Sequence, residues 1–223
     1  MILFASVLVL AFVLGFALGG RLSGFEGVRF RWWWLALVGL AVQFVPLPEG
    51  VGGTDLAVRT VVLSISYALL VLFAALNVRA SGMLLVLIGL VLNLAVISAN
   101  GGMPVSAQAL RDSDQLDVLE QLQRSGADKH HLQTEDDVLT PLGDIVAIPG
   151  PVAQAISIGD VLVYLGLMWL IVAAMRGRIQ SEQATGSRGY RGKHRPGSEP
   201  SGSPPDAHVR ASLPAATTSG TEP

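Results

Sequence analysis

The sequence contains no cysteine and few charged side chains. The absence of cysteine excludes disulfide bonds, cysteine zinc sites and cysteine nucleophiles. Charged residues make up 14% of the chain, against about 25% in an ordinary soluble domain. Residues 1–110 hold only eight of them, which excludes a soluble enzyme with a single core. The net charge of −2 gives no electrostatic case for nucleic acid as a partner.

Long apolar segments dominate the sequence instead, since hydrophobic residues are 51% of the chain. A transmembrane helix needs about 17–25 mostly apolar residues, and five segments meet or approach this length. They cover residues 2–18, 32–47, 60–76, 83–98 and 154–175. The pattern predicts an all-α integral membrane protein in the lipid bilayer, with a five-helix membrane domain over residues 1–178 and one long outer loop over residues 99–153. Residues 179–223 are rich in glycine, serine, proline and threonine, which predicts a disordered cytoplasmic tail.

Arginine and lysine predict the orientation of the helices, because they are more frequent on the cytoplasmic side of a membrane. If the N-terminus is outside, the arginines that lie inside and close to a span are Arg21, Arg29, Arg31, Arg79, Arg176 and Arg178. The sequence therefore predicts a plasma-membrane protein with its N-terminus outside and its C-terminus in the cytoplasm. A cleaved signal peptide at residues 1–20 is the alternative, although this segment lacks the basic start of such peptides.

Two local patterns predict how the first span and the outer loop pack. Small residues recur every four positions in the first span, at Ala11, Gly15 and Gly19. Such a face predicts close packing on another helix of the bundle, with a homodimer as the alternative. In the outer loop, residues 113–123 predict one amphipathic helix, with Asp112 as N-cap and Gln115 in a capping box. A loop of this size rarely buries a core of its own, so we expect it to rest on the helices or on the outer leaflet.

Polar side chains within the predicted spans fall toward the outer surface. They are Ser6, Gln43, Ser64, Ser66, Asn93 and Asp160. An aspartate inside a membrane usually faces the bundle interior or a wet cavity, so we expect an outward-facing polar pocket around Asp160. The alternative is an aspartate at the interface that reaches water, with Gln43 and Asn93 bonding between helices. The inner parts of the second and fourth spans contain no polar side chain, which disfavours a transporter.

Residues of the outer loop are candidates for the same pocket. A step of apolar residue, glycine and aspartate occurs in Leu142-Gly143-Asp144 and again in Ile158-Gly159-Asp160. The predicted pocket residues are Asn93, Asn100, Met103, Lys129, His130 and Ser157, with Asp144 and Asp160 as a possible catalytic pair. Lys129-His130-His131 offers a proton donor or a ligand, or simply three solvated side chains. The run from Asn100 to Pro104 is also typical of a helix C-terminus. No metal site and no cofactor is predicted.

At these positions the chain resembles a family of bacterial membrane proteins, domain-of-unknown-function family 5317. The matching segments, in the same order as in that family, are Asn100-Gly101-Gly102-Met103-Pro104-Val105, Lys129-His130, Thr140-Pro141-Leu142-Gly143-Asp144 and Ser157-Ile158-Gly159-Asp160. The resemblance covers residues 1–178 and leaves out the tail. It implies a multi-pass membrane protein and assigns no activity.

The start of the last span is also similar, more weakly, to the last helix of lipoprotein signal peptidases, which are membrane aspartyl proteases. The similar residues are Ser157-Ile158-Gly159-Asp160, with Gly166 following the aspartate at the same spacing. This similarity implies a hydrolase in which Asp144 and Asp160 share a proton, one acting as base and the other as acid. The chain departs from that family because the Gly-Asn-x-x-Asp-Arg motif is absent and Ser157 replaces an asparagine.

The sequence thus leaves two functions open besides the disfavoured transporter. The first is a binding or envelope-associated role, in which the pocket or the acidic loop meets an envelope protein or a lipid. The second is hydrolysis by Asp144 and Asp160. The sequence leaves the oligomeric state open.

Overall fold

Apolar runs of the sequence form the long helices of the protein. The computed structural model describes residues 2–44, 53–125 and 130–178. The α-helices within these residues are α1 (Ile2–Ala17), α2 (Trp34–Gln43), α3 (Gly53–Leu76), α4 (Met83–Asn100), α5 (Ala107–Asp112), α6 (Leu116–Ser125) and α7 (Ile158–Met175). Gly101 ends α4 with a φ of 75°, a conformation that glycine adopts without strain. The predicted tail, residues 179–223, lies outside the described residues.

Three of these helices are long and apolar enough to cross a membrane, namely Ala57–Leu76 within α3, then α4 and α7. The other two apolar helices are shorter, with 16 residues in α1 and 10 in α2. At about 1.5 Å per residue, α1 extends over about 24 Å of a hydrocarbon core that is roughly 30 Å thick. The prediction of a helical membrane protein is confirmed, and crossing by all five helices stays a prediction.

The five apolar helices pack in a row that does not follow chain order. Helix α1 packs on α7, α7 on α4, α4 on α3, and α3 on α2. The last helix therefore lies between the first and the fourth. Side-chain contacts put the start of α1, the end of α4 and the start of α7 at the same end of the row. Residues 101–125 and 130–157 cover this end, and we call them the cap region.

The small-residue face of α1 is used within this row. Ala11 and Gly15 are buried, and a Cβ atom at Gly15 would overlap the side chain of Met175 in α7. The close contact continues after the helix, where the Arg21 N–H donates to the Met175 carbonyl oxygen at 2.8 Å. Packing between helices of one chain therefore accounts for Ala11 and Gly15, whereas Gly19 is exposed and has no atom near its Cβ position.

The cap region contains short strands that the sequence does not predict. They are β1 (Met103–Val105), β2 (His130–Leu132), β3 (Val146–Ile148) and β4 (Gln154–Ile156). Strand β1 pairs with β2 in parallel, and β3 pairs with β4 antiparallel. Apolar side chains from these elements and from α5 and α6 form a buried cluster of Val105, Ala109, Leu110, Leu119 and Ala155. The cap region therefore has a small core of its own, which differs from the expectation of a loop that only rests on the helices.

Several predicted helix boundaries differ from the structure, and α3 begins at Gly53 rather than at residue 60. Helix α7 begins four residues after the predicted start of the last span, because residues 154–156 pair with β3 and Ser157 then caps the helix. Helix α6 begins at Leu116, and Asp112 is the last residue of α5 rather than an N-cap. Asp114 separates α5 from α6 with a φ of 59°.

Candidate binding site

The site begins with three polar side chains where α4 meets the start of α7. Asn93 is buried in α4, and its Nδ2 donates a hydrogen bond to Asp160 Oδ1 at 2.8 Å. Ser157 Oγ donates to Asn93 Oδ1 at 3.0 Å. The structure thus brings Asn93, Ser157 and Asp160 into one hydrogen-bonded network between two helices.

Ser157 and Asp160 also cap α7 reciprocally. The Asp160 N–H donates to Ser157 Oγ at 2.9 Å, and the Ser157 N–H donates to Asp160 Oδ2 at 3.1 Å. Both carboxylate oxygens of Asp160 therefore accept hydrogen bonds from the protein. A carboxylate in the first turn is further stabilised by the helix dipole. These contacts give Asp160 a structural reason to be at this depth.

Gly159 permits this network to form. A Cβ atom at Gly159 would overlap the side chain of Asn93 and would lie 2.8 Å from the carbonyl oxygen of Gly89. A Cβ atom at Gly89 would in turn collide with the α7 backbone, 3.0 Å from the nitrogen of Val163. The two helices meet backbone to backbone here because neither glycine carries a side chain.

Asp144 is fixed at the same end of the molecule by its backbone. Its N–H donates to the Pro104 carbonyl oxygen at 2.9 Å, and its carbonyl accepts from the Ser106 N–H at 3.0 Å. Gly143 allows this approach, because a Cβ atom there would lie 2.5 Å from the Pro104 oxygen. Asp144 therefore forms a parallel bridge with Val105 at the end of β1.

The carboxyl group of Asp144 is buried and sparsely bonded. Its side chain is 7% exposed, and Oδ2 lies 3.5 Å from Nε2 of the half-exposed His130. Among the described residues, Oδ1 has no hydrogen-bond partner. Burial, followed by the charge of Asp160, raises the pKa of Asp144 to about 8. Near neutral pH this carboxyl group is therefore mostly protonated and can donate a hydrogen bond as well as accept one.

Asp144 and His130 line a cavity of about 540 Å³. The remaining polar side chains on its wall are Gln115, Gln121 and Gln154, and the apolar ones include Ile2, Val105, Leu110, Val118 and Leu122. A mostly apolar wall with a few polar groups is typical of small-molecule pockets of about 300–1,000 Å³. The α1 residue Ile2 places the cavity beside the first helix.

Gln115 is a wall residue that the sequence assigns to a capping box instead. Its Oε1 accepts a hydrogen bond from the Ala155 N–H at 2.7 Å and a second one from Ser113 Oγ at 3.2 Å. The side chain therefore connects the start of α6 to β4. No local sequence pattern predicts the contact between Gln115 and Ala155, because these residues lie 40 positions apart.

Asn100 and Met103 have structural contacts in the cap region. The Asn100 side chain donates from Nδ2 to the Val138 carbonyl oxygen at 2.9 Å, and Oδ1 accepts from the Val138 N–H at 2.8 Å. Met103 is buried beside Val96 and Ile97. Neither is among the described residues that line the cavity. The predicted pocket residue Lys129 lies outside the described residues.

His131 belongs to a separate polar cluster. Its Nε2 lies 2.8 Å from Asp137 Oδ1, while the Thr134 N–H donates to Asp137 Oδ2 at 2.7 Å. Burial would raise the pKa of Asp137, but the hydrogen bonds from Thr134 and His131 outweigh it and hold the pKa below its usual range. This cluster fixes the turn after β2, so His130 and His131 have different surroundings.

In the part of the chain that the structure describes, no group of three or more histidine, aspartate or glutamate side chains is placed to hold a metal ion. The nearest approach to a ligand set at the cavity is the pair of Asp144 and His130.

A sequence profile of the family of unknown function DUF5317 matches residues 27–172. The chain belongs to this family. The match covers Asn93, Asp144, Ser157 and Asp160, and it confirms the resemblance to this family. Helix α1 precedes the matched residues. The weaker resemblance to lipoprotein signal peptidases is not shown. No curated protein and no solved structure matches the chain significantly.

Proposed function

We propose that this DUF5317 protein binds a small ligand in the cavity between the cap region and α1. The observation that carries the proposal is the buried carboxyl group of Asp144, which lines the cavity and leaves one oxygen without a hydrogen-bond partner. Buried polar atoms in native proteins nearly always have a partner. A ligand with a hydrogen-bond donor or a positive charge would supply one, because rotation of the carboxyl group exchanges its two oxygens.

The cavity wall supports a ligand that is partly apolar. Val105, Leu110 and Leu122 offer apolar surface, while His130 and Gln121 offer polar contacts. Removing apolar surface from water would supply most of the binding energy, at about 25 cal/mol per Å². The polar groups would set the orientation of the ligand and its specificity.

We propose further that the cavity faces outward from the plasma membrane, with the N-terminus outside and the C-terminus in the cytoplasm. Arg21, Arg79 and Arg176 lie at the end of the row away from the cap region, whereas Arg59 lies at the cap end, next to Thr60, which donates to the Gly101 carbonyl oxygen. Arginine is more frequent on the cytoplasmic side, so the cap region belongs outside. The ligand is then a component of the outer leaflet or of the cell envelope.

Native mass spectrometry of the protein released from its own membrane tests the binding proposal. We expect a co-purified molecule whose occupancy falls by about tenfold in Asp144→Asn, the loss expected for one hydrogen bond to a charged or strongly polar group. Val118→Trp should also lower the occupancy, because Val118 lines the cavity. Leu116→Trp is the matched control, since Leu116 lies exposed on the same helix and away from the wall. The same bound molecules at the same occupancy in wild type and both cavity variants would contradict the proposal.

Hydrolysis by Asp144 and Asp160 is the second candidate function. One observation favours it, because the charge of Asp160 contributes to the raised pKa of Asp144. Electrostatic coupling between two nearby carboxyl groups is typical of acid–base pairs. Both oxygens of Asp160 already accept hydrogen bonds from the protein, which gives this residue a structural role and favours the binding function.

A cysteine pair tests the second candidate, since the chain has no native cysteine. Asp144→Cys/Asp160→Cys forms a disulfide under mild oxidation only if the Cβ atoms come within about 3.5–4.5 Å. Rapid cross-linking, together with loss of function in Asp160→Asn at normal membrane levels, would favour hydrolysis. Free labelling of both cysteines without cross-linking would exclude a two-carboxylate site.

A further inference from the structure

We infer that the ligand is a membrane lipid whose head is an amine, bound by Asp144 in the cavity, and whose apolar chain lies along α1. This inference rests on the proposed binding function and names the class of its ligand. The observation behind it is that a shallow apolar groove on the first helix adjoins the cavity at Ile2, which lines both.

The groove occupies one face of α1. Its volume is about 490 Å³, and its lining residues are Ile2, Ala5, Ser6, Val9, Leu10 and Val13. These positions repeat at three- and four-residue intervals, which places them on one side of a helix. Ala5 and Ser6 are small, so they leave a hollow between the larger side chains above and below them. The opposite side of α1 is occupied, because Ala11 and Gly15 are buried against α7.

The length of the groove fits one leaflet of a bilayer. From Ile2 to Val13 it extends over about 16 Å at about 1.5 Å per residue, roughly half of a hydrocarbon core of about 30 Å. It starts at the cap end of the row and runs toward the middle of the membrane. A lipid of the leaflet next to the cap region would therefore have its head at the cavity and its chain in the groove.

The charge of the cap region favours a cationic head. Residues 111–144 contain nine acidic and three basic residues, which gives this surface a negative potential that attracts cations and repels phosphate or carboxylate groups. Asp144 is the acidic member of this set that lines the cavity, and it is buried. A bound ammonium group favours the charged form of the carboxyl group, so Asp144 would release its proton on binding. The resulting ion pair would be shielded from water and therefore stronger than an exposed pair.

The test uses full-length protein in nanodiscs and three photoreactive probes. The first is a long-chain primary amine with a diazirine at the end of the chain, the second is the alcohol with the same chain, and the third is a short-chain amine with a diazirine. Labelled peptides are quantified by mass spectrometry. We expect the long-chain amine to label residues 5–13 of α1 about tenfold more than the alcohol does, the factor expected for one hydrogen bond to a charged group.

Three variants separate this binding from ordinary lipid contact. Asp144→Asn should remove the preference for the amine at α1, although the substitution is in the cap region and leaves the lipid-facing helix surface unchanged. Ala5→Trp should fill the groove and lower the labelling of α1 without changing that of the cavity by the short-chain amine. Leu14→Trp is the matched control, because Leu14 is exposed on the same helix outside the groove. Thermal unfolding of each variant shows that it is folded.

The probes distinguish failure of the lipid inference from failure of the binding function. If the short-chain amine labels the cavity through Asp144 but Ala5→Trp and chain length have no effect, the lipid inference is wrong and the binding function stands. If neither amine depends on Asp144, both are wrong. If the long-chain alcohol labels α1 as strongly as the amine does, the groove contacts only bulk lipid, and the lipid inference is wrong.

Discussion

The carboxyl group of Asp144 links the stability of the cap region to pH. Its pKa in the folded protein is about 8, above the value of about 4 expected in the unfolded chain. The folded state therefore holds this proton more tightly, so the contribution of Asp144 to stability is fully present below pH 4 and is lost as the pH rises through 8. The change amounts to a few kcal/mol, on the order of one to two per pKa unit.

Asp144→Asn should remove this pH dependence. We expect the Tm of the variant to exceed that of the wild type at pH 9 by more than at pH 5, as measured by thermal unfolding in detergent. Asp136→Asn serves as the control, since Asp136 is an exposed acid of the same region. Parallel pH profiles of Tm for wild type and Asp144→Asn would contradict a buried, protonated carboxyl group.

The sequence identified the polar residues of the site, but it did not predict which of them bond to each other. Asp160 is recognisable in the sequence because an acidic residue within an apolar run is costly and therefore rare. The Ser-x-x-Asp spacing also matches a capping box. The partner Asn93 lies 67 positions away, and no local pattern connects them. The burial of Asp144 and its oxygen without a partner result from tertiary packing. The sequence therefore identified Asp144 as a candidate but could not predict that it is buried.

At the scale of elements, the contact between α4 and α7 depends on glycine at facing positions. Gly82 and Gly89 on one side meet Gly166 and Gly159 on the other. Close backbone approach of this kind is a usual way for helices to associate in membranes, where lipid chains remove the hydrophobic driving force. The hydropathy of both helices predicts that they are buried in lipid, but it does not predict which helices are neighbours.

Gly159→Ala should destabilise this contact. The added methyl group meets Asn93 and the backbone of Gly89, and overpacking of this kind costs about 1–3 kcal/mol. We expect a lower Tm and loss of the Asn93–Asp160 hydrogen bond. Leu165→Ala, at an exposed position of the same helix, should leave the Tm nearly unchanged. Equal Tm values for Gly159→Ala and wild type would show that the helices are not in contact at this glycine.

The side chain of Asn100 fastens the segment after β2 to the end of α4. It makes two hydrogen bonds to the backbone of Val138, as a neighbouring strand would. Asn100→Ala should therefore increase hydrogen exchange at the Val138 amide by at least about tenfold, which corresponds to roughly 1.4 kcal/mol of local stability. Gln123→Ala, on α6, is the control. Unchanged exchange at Val138 would mean that other contacts hold this segment.

For the whole molecule, the cysteine-free chain makes the orientation directly measurable. Glu135→Cys in the cap region should react with a membrane-impermeant maleimide in intact cells, whereas Val78→Cys at the other end should react only after permeabilisation. The reverse pattern would place the N-terminus in the cytoplasm. The mass of the mature protein tests the signal-peptide alternative at the same time, because cleavage after residue 20 would remove α1 and one wall of the cavity.

The row of helices has a consequence for biosynthesis. Helix α1 emerges first, but its packing partner α7 begins about 140 residues after α1 ends. At a synthesis rate of about 5–20 residues per second, the gap lasts on the order of ten seconds. During this interval the buried faces of both α1 and α4 contact lipid or the insertion machinery. Helix α7 must therefore insert between two helices that are made before it. A nascent chain that stalls before residue 158 leaves the faces of α1 and α4 that bind α7 exposed to membrane quality control.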